Sequence, residues 1–481
     1  MEFETVIGLE VHIQLSTKTK IFSGASAAFG ADPNENIDPL TFGLPGTLPV
    51  LNRQVAVSAI KLGLALNCEI RRFNQFARKH YFYPDLPKGY QISQYEEPIC
   101  EHGRLVIRLD DEIERVVGIT RIHMEEDAGK NIHDARTKSS LIDLNRAGVP
   151  LLEVVSEPDI RSAAEAASYL KTLRQIARYL EISDGNMEEG SLRCDANISL
   201  RPTGQLKFGT RTEVKNINSF KFVERALNYE IARQLSILKG GGQVIQETRL
   251  FDSTSGTTHP MRSKEESADY RYFPDPDLPP LIVEESWVEK VRSKMPKLPE
   301  ELRQMLIEDL GLTPYDASVL TAEKENVDFF LECYQVSKNA KAASNWITSE
   351  LFGLLNKDER GIADSPISAR NLGELLTRID GGEISGKMAK EVFEEAFKTG
   401  QSPSDIIQAK GLKQISDESE LLPIIEQILE TSPNQLAEYF SGKEKLRDYF
   451  VGQVMKATKG SADPKKLNLL LDKELGRRKD G

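Results

Sequence analysis

Near its start the chain reads Ile7-Gly8-Leu9-Glu10-Val11-His12-Ile13-Gln14-Leu15, with a large apolar side chain at every odd position and at no even one. Side chains of a β-strand point alternately to opposite faces, so this pattern predicts a strand with one buried face. Glu10 and His12 then lie together on the other, polar face.

Three further stretches, at 117–124, 191–199 and 211–215, alternate in the same way, which predicts a sheet in the N-terminal region. A turn at 202–205 joins the last two, and the first runs directly into Glu125-Glu126-Asp127. The polar faces of the joined strands carry Arg193, Asp195 and Asn197 on one, and Arg211, Glu213 and Lys215 on the other. The predicted strands therefore present acids and cations together.

Strand patterns end near the proline-spaced segment 295–299, and the sequence beyond it is helical, with a second change at 400–404. We therefore predict an α+β chain of three domains: a mixed domain over 1–295, a helical domain over 296–404 and a small helical tail over 405–481. In the first domain, Ser162 and Glu165 predict the start of a helix over 163–180. Three glycines at 240–242 predict the end of another helix.

Composition excludes several classes of protein. The chain has 481 residues, of which 39% are hydrophobic and 28% charged, which suits several packed domains and excludes a disordered chain. No run approaches the roughly 18–20 apolar residues of a membrane helix, and the first residues do not resemble a secretory signal. The four cysteines lie far apart without a C-x-x-C pair, so neither a disulfide framework nor a zinc knuckle is expected. We expect a cytoplasmic protein without a membrane partner.

Charge is unevenly distributed along the chain. The formal net charge is −12, which argues against nucleic-acid binding over the whole surface. Residues 441–481, by contrast, contain eleven Lys and Arg against six Asp and Glu. Such a basic tail is compatible with a local contact to RNA, although a run of this kind is more often a solvated helix face.

The acidic run Glu125-Glu126-Asp127 is the strongest chemical signal. Adjacent acids repel one another, so they need solvent, Lys or Arg neighbours, or a divalent cation. Mg²⁺ favours carboxylate oxygens together with water and phosphate, so it suits this set better than Zn²⁺ does. Glu10, His12, Asp195 and Glu213 strengthen this interpretation. Two alternatives stay open: a polar sheet face often only meets water, and His12 is as often a packed histidine as a ligand.

Two loops, at 79–90 and 270–277, are rich in aromatic residues, prolines and cations. A loop of this kind can stack bases and bind phosphate, or it can be a rigid cover over the core. His80 and His123 are compatible with structural or substrate-contacting roles. The sequence contains neither a P-loop nor a G-x-S-x-G elbow, so a nucleotide site in this chain would be of an unusual kind.

Six long motifs stand at residues 7–12, 83–94, 123–130, 143–151, 188–197 and 270–274. Together they resemble one family, the B subunits of the bacterial tRNA-dependent amidotransferases. The resemblance covers essentially the whole length, including the tail at 450–460, and motifs of this length are specific.

The resemblance implies a cradle-like antiparallel-sheet catalytic domain over 1–295, followed by an all-α domain and a small all-α tail. It also implies a ligase that uses ATP and Mg²⁺ to phosphorylate the side-chain carboxylate of Glu-tRNA(Gln) or Asp-tRNA(Asn). Ammonia released from glutamine by a partner amidase (A) subunit then gives Gln-tRNA(Gln) or Asn-tRNA(Asn). A small C subunit would hold the two large subunits together, and the basic tail would contact the tRNA.

By the same resemblance, the catalytic and metal-holding group consists of Glu10, His12, Glu125, Glu126, Asp195 and Glu213. Lys79, Lys88 and Arg146 would bind phosphate or the 3′ end of the tRNA. Two other hypotheses stay open, a metal-dependent phosphodiesterase acting on RNA and a tRNA-binding scaffold without enzymatic activity. The sequence does not decide which acids ligate metal directly, where adenine binds, or which charged tRNA is the substrate.

Overall fold

The computed structural model describes residues 2–109, 113–134, 139–261, 270–415, 417–458 and 460–479. The chain divides into two compact units, Met1–Pro299 and Glu300–Gly481. Lys459, which belongs to the tail motif at 450–460, lies outside the described residues. The division falls at the proline-spaced segment where the strand patterns of the sequence end.

The first unit combines strands with a few helices. Its strands are β1 (Phe3–Gln14), β2 (Glu69–Ile70), β3 (Phe73–Asn74), β4 (Phe76–His80), β5 (Tyr90–Gln94), β6 (Cys100–Arg108), β7 (Glu114–Glu126), β8 (Lys130–Asp134), β9 (Ser139–Asp143), β10 (Pro150–Ser156), β11 (Leu192–Pro202), β12 (Thr212–Ile217), β13 (Glu247–Asp252), β14 (Thr257–Pro260), β15 (Phe273–Pro274) and β16 (Leu281–Ile282). Its helices are α1 (Arg53–Ala65), α2 (Ala163–Tyr179), α3 (Phe220–Lys239) and α4 (Glu285–Arg292).

Nine strands form one sheet in the order β14-β13-β12-β11-β1-β10-β7-β6-β2. The strand at the start of the chain, β1, lies in its middle and pairs antiparallel with both β10 and β11. One neighbouring pair, β12 and β13, is parallel. Parallel neighbours need a crossover connection, and α3 provides it between these two strands. The predicted α+β class and the sheet of the first domain are confirmed.

The core of this unit lies on one face of the sheet, because from Ile7 onward the alternation in β1 buries only the odd positions. Ile7, Leu9, Val11 and Ile13 are buried, whereas Glu10 and His12 are partly exposed. Residues of α1, α2 and α3 belong to the same buried cluster. Burying each large aliphatic side chain stabilises the fold by roughly 1.5–3 kcal/mol. The other face of the sheet stays polar.

The predicted helix boundaries follow from local hydrogen bonds. The Ser162 hydroxyl accepts a hydrogen bond from the Glu165 amide at 3.1 Å, which caps α2. In a full capping box the Glu165 carboxylate would accept a hydrogen bond from the Ser162 amide. Here it accepts one from the Arg161 amide at 2.7 Å, so only half of the expected capping box forms. The helix α3 ends at Lys239, just before the three glycines.

The second unit is helical. It contains α5 (Pro299–Glu308), α6 (Pro314–Thr321), α7 (Lys324–Ser337), α8 (Ala340–Asn345), a π-helix (Trp346–Leu351), α9 (Phe352–Lys357), a 3₁₀ turn (Ile362–Asp364), α10 (Ala369–Asp380), α11 (Gly386–Thr399), α12 (Pro403–Lys410), α13 (Glu418–Thr431), α14 (Pro433–Phe440), α15 (Leu446–Ala457) and α16 (Pro464–Lys479). Helix α12 packs against α10 and α11. Leu421, Phe450 and Leu471 belong to a separate buried cluster formed by α13, α15 and α16.

The expected boundary between helical domain and tail, after residue 404, falls inside α12. The division into three domains stays a prediction. In the part of the chain that the structure describes, no helix is both long and apolar enough to cross a membrane.

Candidate active site

Strand register places four polar side chains in a row across the middle of the sheet. His12 on β1 lies directly opposite Glu153 on β10, and Glu153 lies opposite His123 on β7. On its other side, His12 lies opposite Arg193 on β11. Residues directly opposite one another on neighbouring strands have Cβ atoms roughly 4.5–5.5 Å apart on the same face. The row therefore brings together residues that are far apart in the sequence.

Glu125 joins this row, because it lies two residues beyond His123 on the same face of β7. The His12 Nε2 atom is 3.3 Å from Glu125 Oε1 and 3.3 Å from Glu153 Oε2. His123 Nε2 is 3.2 Å from Glu153 Oε2, and the Ser93 hydroxyl donates to Glu125 Oε2 at 3.2 Å. We call His12, His123, Glu125 and Glu153 the histidine–carboxylate group.

The charges in this group stabilise one another. Burial opposes a charged imidazole, but the Glu125 and Glu153 carboxylates outweigh it and raise the pKa of His12 to about 10. Burial likewise opposes charge on His123, and the same two acids raise its pKa to about 9. Burial disfavours ionised carboxylates, yet the two imidazoles hold the pKa of Glu125 and Glu153 below the ordinary range. Without a metal ion, the group is a network of imidazolium and carboxylate ions.

The same atoms form a donor set for a divalent cation. One ligand atom from each of His12, Glu125 and Glu153 lies within 4.8 Å of the others. Two carboxylate oxygens suit Mg²⁺, and water and phosphate normally fill its remaining coordination positions. An imidazole nitrogen coordinates a metal ion only when the ring is neutral. The Nδ1 atom of buried His123 has no hydrogen-bond partner among the described residues. The residues therefore fit a hard divalent cation held by two acids and one imidazole.

A second set of acids lies on the same sheet face, around Lys215. The Lys215 ammonium donates to Asp195 Oδ2 at 2.9 Å and is 3.1 Å from Glu213 Oε1. The Thr248 hydroxyl donates to Glu213 Oε2 at 2.7 Å. Burial opposes the charge of Lys215, but Asp195 and Glu213 outweigh it and raise its pKa above the ordinary range. We call Asp195, Glu213 and Lys215 the lysine–carboxylate group.

Glu10 lies between the two groups. It is opposite Asp195 on the neighbouring strand, and its Oε1 atom accepts a hydrogen bond from the side-chain amide (Nδ2) of Asn197 at 2.9 Å. Burial, followed by the charge of Glu153, raises the pKa of Glu10 above its ordinary value. The structure thus places five of the six acids and imidazoles predicted from the sequence on one continuous face.

Glu126 is the sixth, and its contacts differ from those of Glu125. Successive side chains of a strand point to opposite faces. Glu126 accepts a hydrogen bond from the Ile92 amide at 2.8 Å and pairs with Lys88. A small cavity of about 20 Å³, room for about one water molecule, is lined by Lys20, Lys88 and Glu126. Burial lowers the pKa of Lys20 to about 8.

Asp127, the third acid of the run, binds two arginines. Arg193 Nη2 donates to Asp127 Oδ2 at 2.7 Å, and Arg146 Nε is 3.5 Å from the same atom. Arg146 also donates to the carbonyls of Ala128 and Gly129 at 2.9 and 2.7 Å, which holds the loop after β7. The three adjacent acids therefore each have a different cationic partner, which offsets the repulsion expected from their sequence.

Of the three predicted phosphate-binding cations, Lys88 and Arg146 thus contact acids beside the sheet. Lys79 lies elsewhere, with its ammonium 4.9 Å from the centroid of the Tyr270 ring. His80, compatible in the sequence with a structural role, has its Nδ1 atom 3.2 Å from the Arg271 carbonyl oxygen.

Glu153 was not predicted from the sequence, and the role of His123 stayed open there. Glu153 is the single acid in the otherwise apolar segment Leu151-Leu152-Glu153-Val154-Val155, and it is buried. A buried ionisable group in such a segment is uncommon unless it is paired. That lone acid was the available signal, although only the strand register shows which partners it meets.

The chain is similar to known proteins over its whole length. A family profile described as the GatB/GatE catalytic domain matches residues 5–289, and one described as the GatB domain matches residues 328–475. Three proteins that are named as the B subunit of an aspartyl/glutamyl-tRNA(Asn/Gln) amidotransferase are 56%, 57% and 54% identical to the chain; they come from Geotalea daltonii, Thioalkalivibrio sulfidiphilus and Persephonella marina. Each alignment covers 99% of this chain and 100% of the relative.

These matches confirm the resemblance found in the motifs. Together the two profiles cover most of the chain, and the identities extend over its full length. The chain belongs to the GatB family, the B subunits of the tRNA-dependent amidotransferases.

Proposed function

We propose that the chain activates the side-chain carboxylate of Glu-tRNA(Gln), Asp-tRNA(Asn) or both, as part of a glutamine-dependent ligase. The observation that carries the proposal is the histidine–carboxylate group, next to further acids on one sheet face, in a chain that matches amidotransferase B subunits over its full length. The names of these relatives refer to the same pair of tRNA substrates.

The reaction explains why a site of this composition is needed. A carboxylate is a poor electrophile because its leaving group would be an oxide ion, whereas an acyl phosphate loses phosphate readily. A side-chain carboxylate oxygen attacks the γ-phosphorus of ATP, and ADP leaves. Ammonia then attacks the acyl carbon, phosphate leaves, and a proton is lost to give the neutral amide. In such a transfer the protein mainly positions the reactants and neutralises charge on the phosphoryl oxygens.

In this proposal, His12, Glu125 and Glu153 would hold Mg²⁺. When bound, the ion would neutralise charge on phosphate oxygens and on the substrate carboxylate. Binding requires His12 to lose its proton, since only the neutral imidazole has a free lone pair at Nε2. Ser93 and His123 hold the Glu125 and Glu153 carboxylates in place through the contacts described above.

Arg193 and Lys215 supply fixed positive charge on the same face. The Arg193 side chain is 35% exposed, and its Nη2 atom pairs with Asp127. A guanidinium has five N–H donors in a planar fork, so one that pairs with a single carboxylate keeps donors for a phosphate oxygen. We infer that Arg193 binds the nucleotide phosphates, and that Lys215 balances the acids between which it lies.

The remaining components are proposed from the family. An amidase (A) subunit would supply ammonia and a small C subunit would hold the two large subunits together. The basic tail after residue 441 would contact the tRNA backbone, where charged contacts position the substrate. The names of the relatives favour neither alternative hypothesis, an RNA phosphodiesterase or a scaffold.

The test is ATP hydrolysis by the chain reconstituted with its partner subunits, with ammonia withheld. We expect hydrolysis with Glu-tRNA(Gln) and none with the uncharged tRNA, because the acyl phosphate forms only on the charged substrate and is then lost to water. Hydrolysis that is indifferent to charging would contradict the proposal. Cleavage of the tRNA by Mg²⁺ and the chain alone, without ATP, would support the phosphodiesterase instead.

A further inference from the structure

Four tyrosines from three segments of the chain form a cluster beside the histidine–carboxylate group. Tyr81 directly follows β4, and Tyr95 directly follows β5. Tyr270 and Tyr272 both lie just before β15. The Tyr95 and Tyr272 rings are stacked in parallel, with centroids 4.2 Å apart and planes at 9°. Tyr270 meets Tyr272 edge-on at 6.1 Å and Tyr81 edge-on at 6.4 Å.

Hydrogen bonds of the backbone and of Arg78 hold the segment that carries Tyr270 and Tyr272. The strand β15 pairs with β4, and the His80 amide donates to the Tyr270 carbonyl at 2.9 Å. Arg78 on β4 donates to Asp275 at 2.9 Å and to Asp277 at 2.7 Å. Because these bonds already anchor the segment after Tyr270, the stacked ring pair is not required to hold it.

One ring of the pair is open to solvent. Tyr95 is 50% exposed, although one of its faces is covered by Tyr272. A parallel stack of two tyrosines leaves the outer face of the exposed ring available to a third flat group. Aromatic platforms of this kind bind nucleobases, since every base has a π-face.

The cluster also adjoins the proposed phosphate chemistry. The Ser93 hydroxyl donates to Glu125 Oε2 at 3.2 Å, and Tyr95 lies only two residues further along the chain, so the cluster lies near this acid. The Lys79 ammonium lies 4.9 Å from the Tyr270 ring centroid, at the edge of the same cluster. A planar platform, a nearby cation and a metal-type donor set are the kinds of groups that bind the base, the phosphates and the metal of a nucleotide.

We propose that Tyr95, supported by Tyr272, is a stacking platform for the adenine of an adenosine nucleotide. The inference rests on the proposed function, which brings adenine to this site from two sources: ATP itself and the 3′-terminal adenosine of the tRNA. The shared chemistry is the purine ring, and the experiment separates the sources.

The experiment measures two affinities in the complete complex with its partner subunits. The first is the dissociation constant of ATP with Mg²⁺. The second is the ratio of the dissociation constants of tRNA(Gln) with and without its 3′-terminal adenosine. If ATP supplies the base, Tyr95→Leu weakens ATP binding about 5- to 150-fold. If the tRNA supplies it, the ratio is below one in the wild type and rises towards one in Tyr95→Leu by a similar factor.

Control variants separate stacking from structure. Tyr95→Phe keeps the π-face and should stay within about twofold of the wild type in both measurements. Tyr315→Leu makes the same change as Tyr95→Leu at a tyrosine of the second unit that is 77% exposed, and it should alter neither affinity. Thermal unfolding is recorded for every variant, and Tyr95→Met replaces Tyr95→Leu if the latter unfolds early.

The stacking role of Tyr95 would be refuted if the substituted variant stayed within twofold of the wild type in both measurements. It would also be refuted if the wild type bound neither ATP nor the tRNA. Failure of the proposed function looks different. A wild type that binds ATP or tRNA but shows no ATP hydrolysis dependent on charged tRNA would refute carboxylate activation. The binding ratios would still decide whether Tyr95 stacks on adenine.

Discussion

The two charged groups on the polar face of the sheet are built from similar acids but balanced by different cations. In the histidine–carboxylate group, the positive charge is on imidazoles, and a neutral imidazole can itself coordinate a metal ion. In the lysine–carboxylate group, the charge is on the Lys215 ammonium, which has no lone pair and cannot be a ligand while charged. The first group can therefore exchange a proton for a metal ion, whereas the second already contains its cation.

This difference refines the expectation that Glu10, His12, Glu125, Glu126, Asp195 and Glu213 hold metal together. In the structure, His12 and Glu125 lie together with Glu153. Asp195 and Glu213 lie around Lys215. Glu126 pairs with Lys88. We expect the metal in the first group and charge balance by the protein in the second.

The largest effect is expected from Glu125→Gln in the reconstituted complex. The change removes an anionic ligand oxygen and leaves His12 and His123 with one carboxylate fewer. Amide formation should fall by at least about 100- to 1000-fold, while tRNA binding is retained. Initial rates of Gln-tRNA(Gln) formation check this. Glu114→Gln, the same change at an exposed position of the same strand, should stay near wild-type activity.

Metal affinity distinguishes the two groups directly. His12→Gln should weaken Mn²⁺ binding, used as a spectroscopic probe for Mg²⁺, by at least about tenfold, because an amide is a poorer donor than imidazole. Asp195→Asn should change it less than about threefold. Electron paramagnetic resonance titration of the free ion measures both. Equal losses in the two variants would mean that the groups share the metal, and the distinction between them would fail.

Removal of the tail should affect substrate binding more than chemistry. Deleting residues 412–481, after α12, removes the whole basic tail. The KM for Glu-tRNA(Gln) should therefore rise about tenfold, while kcat stays within about threefold. Steady-state kinetics over a wide range of tRNA concentration separates the two constants. A complete loss of activity at saturating tRNA would favour the scaffold hypothesis.

The smallest effect concerns pH and stability in the metal-free chain. The pKa of His12 is raised from 6.5 to about 10 and that of His123 to about 9 in the folded state. Groups with raised pKa stabilise the fold fully below their unfolded pKa, and this contribution is lost as pH rises through the folded pKa. The Tm in EDTA should therefore fall by a few °C more between about pH 7 and 10 in the wild type than in His12→Gln.

The matched control for this dependence of Tm on pH is His80→Gln. It replaces a histidine that contacts a backbone carbonyl and aromatic rings instead of acids. Its difference in Tm between the two pH values should equal that of the wild type. If His12→Gln and His80→Gln have identical profiles, His12 is not the cation that the two carboxylates stabilise.

Local patterns in the sequence predicted the elements that local physics determines. Strict alternation identified β1 and β11, together with the partly exposed faces carrying Glu10, His12 and Asp195. The same alternation also separates Glu125 from Glu126, since neighbours in a strand point to opposite faces. Both acids were predicted to hold metal, and this alternation, which is visible in the sequence, puts their side chains on opposite faces of the strand.

Long-range register could not be predicted in this way. Glu153 meets His12 because β10 pairs with β1 across about 140 residues of chain, and no local pattern encodes that pairing. The position of Lys215 between Asp195 and Glu213 similarly depends on the bulge that shifts the pairing of β11 with β12. The residue types of the site were therefore accessible from the sequence, and their partners were not.

The most direct test follows an oxygen atom from the substrate to the phosphate. Glu-tRNA(Gln) is prepared with ¹⁸O in both side-chain carboxylate oxygens and converted by the reconstituted complex with ATP and ammonia. If the carboxylate attacks the γ-phosphorus, the released phosphate carries one ¹⁸O atom per amide formed, as measured by mass spectrometry. Unlabelled phosphate accompanying full conversion to Gln-tRNA(Gln) would show that the carboxylate is not phosphorylated, and it would contradict the proposed activation.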